Sequence, residues 1–162
     1  MTWVNDDGLV VRFGTEQGTA DKAGSPRTAG DVSELVVKIT GTDVPSTDAP
    51  VSTQVGIPDG AYLMSATLYV STAFTSGGAA TLDIGLFNDD GDGTYSANDA
   101  DGIDAAIAIT AIDADDDEIA CDGALVGTTL AGTGDRPLYV SYGYGTAAYT
   151  AGEAELVIQY RV

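Results

Sequence analysis

Residues 62–86 have the sequence YLMSATLYVSTAFTSGGAATLDIGL, in which two apolar runs flank Ser76-Gly77-Gly78. In the second run Leu82, Ile84 and Leu86 alternate with polar or small residues, which is the period-two pattern of a strand with one buried face. Serine followed by two glycines is typical of a tight turn. This stretch therefore predicts two neighbouring strands.

The same pattern recurs along the chain. Leu35, Val37 and Ile39 alternate with polar side chains, and further strand-like segments lie at 9–13, 51–57, 138–144 and 155–162. Turn clusters rich in glycine, proline or polar residues separate them, at 14–26, 41–50, 58–60 and 132–135. Connections this short do not accommodate parallel crossovers. The sequence predicts an all-β fold, an antiparallel β-sandwich of the jelly-roll type, as a single domain over residues 1–162.

One segment departs from this pattern. Between Ile103 and Ile112, Ile103 and Ile107 have helical spacing, whereas Ile107 and Ile109 have strand spacing. We expect one short helix here that continues into a strand.

The charge balance excludes several classes of function. The 162 residues include 25 acidic and 6 basic side chains, for a formal net charge of −19. Nucleic-acid phosphates and anionic membrane surfaces are bound by clusters of Lys and Arg, which this chain lacks, so we expect no nucleic-acid and no membrane partner. The chain has no His, which removes the commonest general base and metal ligand. Its single cysteine, Cys121, permits no internal disulfide and is expected to be a small semi-buried hydrophobe.

The type of acidic residue is also informative. Asp accounts for 20 of the 25 acidic side chains, Lys is nearly absent, and Ala, Gly and Thr are abundant. This composition resembles that of proteins from extreme halophiles, where hydrated carboxylates keep the surface wetted and molar salt screens their repulsion. An ordinary acidic protein from a mesophile is the alternative. The first residues, from Met1 to Asp7, show neither a basic start nor an apolar run, so we expect synthesis in a host cytoplasm without secretory export.

The sequence NDDGDGTYSAND, residues 88–99, fits the twelve-residue calcium loop. In that loop, oxygen ligands at alternate positions converge on a hard cation, and a glycine at position 6 allows a sharp turn. The loop follows a predicted strand, so a strand-loop-helix variant of the site would fit, with Ca²⁺ as the candidate cofactor. Turn formation on an Asp-rich surface is the alternative. The candidate metal ligands are Asn88, Asp90, Asp92, Thr94 (through its carbonyl), Ser96 and Asp99.

The acidic residues continue beyond this loop. Residues 83–122 contain no Lys or Arg, so some counter-ion must gather along them. A second cluster, residues 113–118, lacks the alternating ligands of a cation loop, and we interpret it as a solvated charge run. If the two clusters meet in space, they are able to share an ion.

No side-chain set marks an enzyme. The sequence distinguishes no carboxylate pair as a glycosidase acid and base, and the single Trp, Trp3, lies at the terminus. We therefore expect no enzymatic activity and no catalytic residues. Four tyrosines near the end, Tyr139, Tyr142, Tyr144 and Tyr149, are expected either in the core or at a protein interface.

Three blocks carry a resemblance to a known family. They are residues 6–14 (DDGLVVRFG), residues 57–86, and residues 146–160, which begin TAAYTAGE and end VIQY. These blocks resemble small structural proteins encoded among the head genes of tailed viruses of marine bacteria and haloarchaea. The resemblance implies a β-sandwich or jelly-roll virion protein that assembles as a homo-oligomer on a capsid built from another protein, without catalytic residues.

Together these features predict a capsid decoration (cement) protein of a tailed virus with a halophilic host. We expect a trimer or pentamer on the capsid surface of the virion, in contact with the major capsid protein. A tail or fibre module that binds a host receptor is one alternative. A free calcium- or carbohydrate-binding β-sandwich module is another.

Overall fold

A computed structural model describes residues 2–4, 10–12, 32–50 and 56–162. The predicted turn cluster at 14–26 lies outside these residues, as do residues 51–55 of the predicted strand 51–57, of which Ile57 forms an isolated bridge to Leu138. Near the amino terminus, β1 (Thr2–Val4) pairs antiparallel with β2 (Val10–Arg12), within the segment 9–13 predicted as a strand.

The first large sheet is antiparallel and has the strand order β3-β10-β5-β8. Its central strands are long and alternate between buried and exposed side chains, because one face packs on the core and the other faces solvent. The bounds are β3 (Ser33–Thr40), β5 (Tyr62–Ser76), β8 (Glu118–Ala120) and β10 (Tyr149–Arg161).

The second large sheet has the order β4-β9-β6-β7 and is also antiparallel. Leu82, Ile84 and Leu86 point into the core, as the alternation predicted, and they lie opposite alternate residues of the neighbouring strand. The bounds are β4 (Ala49–Pro50), β6 (Thr81–Asp89), β7 (Tyr95–Ala108) and β9 (Leu138–Gly145).

The chain passes from one sheet to the other at nearly every connection. Among the strands that the structure describes from β3 to β10, only β6 and β7 follow one another within a sheet, as a hairpin. Eight strands in the orders 3-10-5-8 and 4-9-6-7 form a jelly roll. The predicted all-β sandwich of the jelly-roll type is confirmed.

The core lies between the two sheets. Leu63, Leu68, Phe74, Leu156 and Ile158 contribute from the first sheet, and their side chains are almost completely buried. At one open side of the sandwich, the segment after β8 bridges the sheets: the Cys121 amide donates to Ala66 of β5, and the Gly123 amide donates to Ile103 of β7.

The expected short helix between Ile103 and Ile112 requires a correction. The structure reverses the predicted order: β7 continues through Ala108, and a single 3₁₀ turn follows at Ile109–Ala111. The buried side chains of Ile103 and Ile107 pack into the core from a strand, because pairing with β6 supplies backbone hydrogen bonds that a helix would otherwise provide. Among the described residues, no helix has the length and apolar character needed to cross a membrane.

Candidate functional site

The predicted calcium loop forms the β6–β7 hairpin. Asp89 pairs with Tyr95 and Asn88 with Ser96, so a strand follows the turn where we expected a helix. Gly91 and Gly93 both have φ +87, a left-handed conformation that suits glycine at a tight turn. The strand-loop-helix form of the site is therefore wrong, and the segment is a strand-turn-strand hairpin.

The polar side chains of the hairpin bond mainly to one another. The Asp92 carboxylate accepts from the Thr94 amide at 3.0 Å, and the Thr94 hydroxyl lowers the pKa of that carboxyl. Asp90 accepts from the Ser96 hydroxyl at 2.8 Å. The Arg136 guanidinium packs on Gly91 and lies 3.8 Å from the Asp89 carboxylate, so a positive charge is already present beside the turn.

The other two candidate ligands lie away from the hairpin tip. The Asn88 side chain is buried, and its amide oxygen accepts from the Asn98 side chain at 3.1 Å. Asp99 pairs with Leu86, further along the ladder. The structure thus brings together Asp90 with Ser96 and Asp92 with Thr94 through hydrogen bonds. Asn88 lies opposite Ser96 in the ladder but bonds to Asn98, and Asp99 lies further along the ladder. Calcium binding by this loop stays a prediction.

The second acidic cluster lies in the turn that leads to β8, at the edge of the first sheet. Asp115 accepts from the Ala73 amide at 2.7 Å, and the Asp116 amide donates to the Val70 carbonyl. The two acidic clusters therefore belong to different sheets and make their hydrogen bonds with different strands.

Sequence reasoning missed a group of carboxylates on the outer face of the second sheet. Asp83 lies opposite Gly143, and the Asp48 carboxylate contacts Gly143 from the other side. Burial raises the pKa of the Asp48 carboxyl, and the negative charges of Asp83 and Asp101 raise it further. The only sequence signal was Asp83, a charged residue inside an apolar strand; Asp48 and Asp101 carried none.

A further carboxyl, that of Asp104, is buried on β7, an edge strand of the second sheet. Burial raises its pKa, and so does the nearby charge of Asp122. Burial together with Asp104 raises the pKa of the Cys121 thiol to about 12. Cys121 is therefore a buried thiol that stays protonated, in agreement with the sequence expectation.

These raised pKa values predict an unusual pH dependence. Burial is the first cause of the raised pKa of Asp48, Asp99 and Asp104 alike. The folded state binds these protons more tightly than the unfolded chain, so their contribution is complete below the ordinary Asp pKa and is lost as pH rises through the raised values. We expect Tm to rise when the pH is lowered from neutrality towards the ordinary pKa of Asp, in low salt with a chelator present.

Circular dichroism during heating measures this effect. Asp104→Asn removes one of the buried carboxyls and should flatten the trend, whereas Asp90→Asn on the exposed hairpin should leave it unchanged. A Tm that falls over the same pH interval in the wild-type chain would contradict the prediction.

The four tyrosines are mostly core residues. Tyr142 and Tyr149 belong to the core, and Tyr144 packs against it partly buried. Tyr139 lies on the outer face of the second sheet, nearly buried, with its ring 5.7 Å from that of Tyr95 in an edge-to-face contact. Of the two sequence alternatives, burial within the chain is confirmed.

The outer face of the first sheet presents an exposed surface with apolar side chains. Val36 on β3, Val157 on β10 and Thr67 on β5 form one row across the strands. Val36, Met64 and Tyr69 are exposed by 41–47% and are among the large apolar side chains most exposed in the described part of the chain. Exposed apolar side chains gathered on one face are typical of a surface that contacts another protein.

Comparison with known proteins gives a likeness in fold. The chain matches no protein-family model and no curated protein sequence. Among solved structures, it is similar to a chain of the cyanophage Pam1 capsid asymmetric unit, with TM-score 0.57 and 18% identity over 89% of this chain and 94% of that chain. It is also similar to a chain of the capsid of Ralstonia phage GP4, with TM-score 0.53 and 20% identity over 85% and 88%. The predicted resemblance to virion structural proteins is thus confirmed at the level of the fold, since this jelly roll is shared, nearly end to end, with chains of two phage capsids.

Proposed function

We propose that this chain is a capsid decoration protein, which binds the outside of a viral head and stabilises it. The observation that carries the proposal is the fold likeness to chains of two phage capsids, which covers 85% or more of each chain compared. In this role the protein would act as an adhesive that holds neighbouring shell subunits together.

The exposed face of the first sheet suits this role. A cement protein binds because it removes apolar surface from water on contact with its neighbours. Val36, Met64 and Tyr69 supply such surface without contributing to the core, and Lys38 and Glu155 border it with an exposed ion pair at 3.6 Å. We propose that this face contacts the major capsid protein or a neighbouring copy.

The acidic composition supports a halophilic host for the virus. In the described ranges two ion pairs form: Lys38 with Glu155, both exposed, and Arg136, exposed, with the half-buried Asp89. Most carboxylates there consequently rely on water and dissolved cations for compensation. We further propose a homo-oligomer, a trimer or a pentamer, because shells of closed symmetry present repeated contact sites.

Purified virions provide the test of the decoration role. Protein quantification should find many copies per particle in a fixed ratio to the shell protein. Particles stripped of the protein should lose surface density in electron micrographs and rupture at a lower temperature, and added protein should reverse both changes. Unchanged surface and stability after stripping would remove the cementing role, and a few copies per particle would favour the tail or fibre alternative.

Rebinding to stripped particles tests the proposed contact face. The paired substitution Val36→Ser with Tyr69→Ser removes exposed apolar surface without touching the core, so it should weaken rebinding. Asp92→Asn, at the exposed hairpin tip of the other sheet, is the matched control and should rebind as the wild type does. Equal rebinding by the paired variant would exclude this face as the contact.

A further inference from the structure

The outer face of the second sheet contains a buried hydroxyl without a hydrogen-bond partner. Ser141, on β9, is completely buried, and its Oγ has no partner among the described residues. A buried polar atom left unpaired destabilises the fold, so a ligand that pairs with it binds more favourably. The groups that surround Ser141 in the sheet indicate the kind of ligand that would bind there.

Backbone carbonyl groups lie over the position next to Ser141. Ser141 pairs with Gly85 of β6 on the outer face, and β7 bulges across this face, where the four residues between Asp99 and Asp104 lie opposite Gly85 alone. A side chain at Gly85 would overlap the carbonyl oxygens of Asp99 and Ala100. Because Gly85 has no side chain, the carbonyl oxygens of Asp99 and Ala100 approach the sheet beside Ser141.

Carboxylates surround the same place. Asp48 and Asp83 flank Gly143, which is two residues from Ser141 and therefore on the same face. One carboxylate oxygen of Asp83 accepts a hydrogen bond from the Ala106 amide at 2.7 Å. Burial raises the pKa of Asp48, and the negative charges of Asp83 and Asp101 raise it further, so each of these two carboxylates lies near Asp48. In the described ranges, the ion pairs of Lys38 and Arg136 lie elsewhere.

We propose that this face binds one Ca²⁺ ion through the Ser141 hydroxyl, the carbonyl oxygens of the β7 bulge and the carboxylates of Asp48, Asp83 and Asp101. Every ligand is an oxygen, and the mixture of carboxylate, carbonyl and hydroxyl in an irregular arrangement suits Ca²⁺ better than Mg²⁺, which demands a near-ideal octahedron.

The neutral oxygens are essential to this site. No three acidic or cysteine side chains of the described segments converge as a metal site by themselves. We therefore expect at most two of the three carboxylates to bind the ion directly and the third to bind through water. The site is separate from the hairpin tip, where Asp90 and Asp92 bond to Ser96 and Thr94, and it does not depend on the proposed decoration role.

Calorimetric titration of CaCl₂ into the full chain, after chelator treatment and in about 1 M NaCl to suppress non-specific attraction, tests the proposal. We expect one Ca²⁺ ion to bind at this face of each chain, and the variants distinguish this ion from one bound at the hairpin. Asp48→Asn should weaken binding about tenfold or more, because it removes a charged ligand, and Ser141→Ala should weaken it by a smaller factor. Asp92→Asn at the hairpin tip should leave it unchanged, and MgCl₂ should bind more weakly than CaCl₂.

The variants also separate this site from the alternatives. Ser141→Ala removes an unpaired hydroxyl, so the Ca²⁺-free protein should keep its Tm or gain a little, and weaker binding then reflects a lost ligand. Asp101→Asn, at an exposed position, replaces Asp48→Asn if the latter does not fold. Three results would each overturn the proposal: no binding to the wild type, loss of binding in Asp92→Asn with retention in Asp48→Asn, or wild-type affinity in both Ser141→Ala and Asp48→Asn.

Discussion

Phe74→Ala should lower the free energy of unfolding by about 3–5 kcal/mol, the range for deleting a buried phenylalanine ring. Phe74 is 1% exposed, and its ring meets the Tyr149 ring edge to face at 5.3 Å between centroids. Gly152 of β10 packs directly on Phe74, so neighbouring backbone has little freedom to fill the cavity. Since domains are stable by only about 5–15 kcal/mol, this loss is a large part of the total.

Urea unfolding followed by circular dichroism at constant high salt measures the effect. Met64→Ala is the matched control, because Met64 lies on the same strand but is 41% exposed on the outer face. The control should cost about 0.5 kcal/mol or less, as surface substitutions usually do. A loss below about 1 kcal/mol for Phe74→Ala would show that the two sheets do not pack as described.

Salt should stabilise this protein strongly. The formal net charge is −19, and the excess negative side chains repel one another in the compact state. Salt screens this repulsion, because the Debye length shrinks from about 30 Å at 0.01 M salt to about 3 Å at 1 M. Each kcal/mol of relieved repulsion raises Tm by about 2–4 °C for a chain of this size, so over that interval we expect a rise of roughly 10 °C or more.

Thermal unfolding in NaCl and in tetramethylammonium chloride, both with a chelator, separates screening from ion binding. The two salts screen alike, whereas the bulky organic cation does not enter a compact oxygen site, so similar curves mean screening. A Tm that is independent of salt would contradict the prediction.

Light scattering across the same salt series addresses assembly. The proposed homo-oligomer should form in high salt and dissociate or unfold in low salt, because screening removes repulsion between copies as well as within each copy. A salt-indifferent monomer would count against both the halophilic composition argument and the proposed oligomer.

Local sequence patterns predicted most of the sandwich. Alternation at Leu35, Val37 and Ile39 and again at Leu82, Ile84 and Leu86 indicated strands whose buried faces the structure confirms. The pattern is reliable there because a half-buried strand needs apolar side chains at every second position, which is visible in a few consecutive residues.

β7 shows where local pattern is insufficient. Its sequence, YSANDADGIDAAIA, contains Asp, Gly and Ala, which are depleted in strands, and its Ile spacing suggested a helix. Pairing with β6 overrides these preferences. The same pairing rearranges the predicted calcium loop: paired strands are extended, so ligand positions that a free loop would fold around one ion lie spread along the hairpin.

The amino-acid sequence alone establishes the acidity of the surface, the absence of imidazole chemistry and the all-β class, because composition and period-two alternation are properties of neighbouring residues. The meeting of Asp48, Asp83 and the unpartnered Ser141 hydroxyl on one face depends on the tertiary structure. It arises because β4 and β6 pair on either side of β9, and such pairing between distant segments is decided by the packing of the whole sandwich.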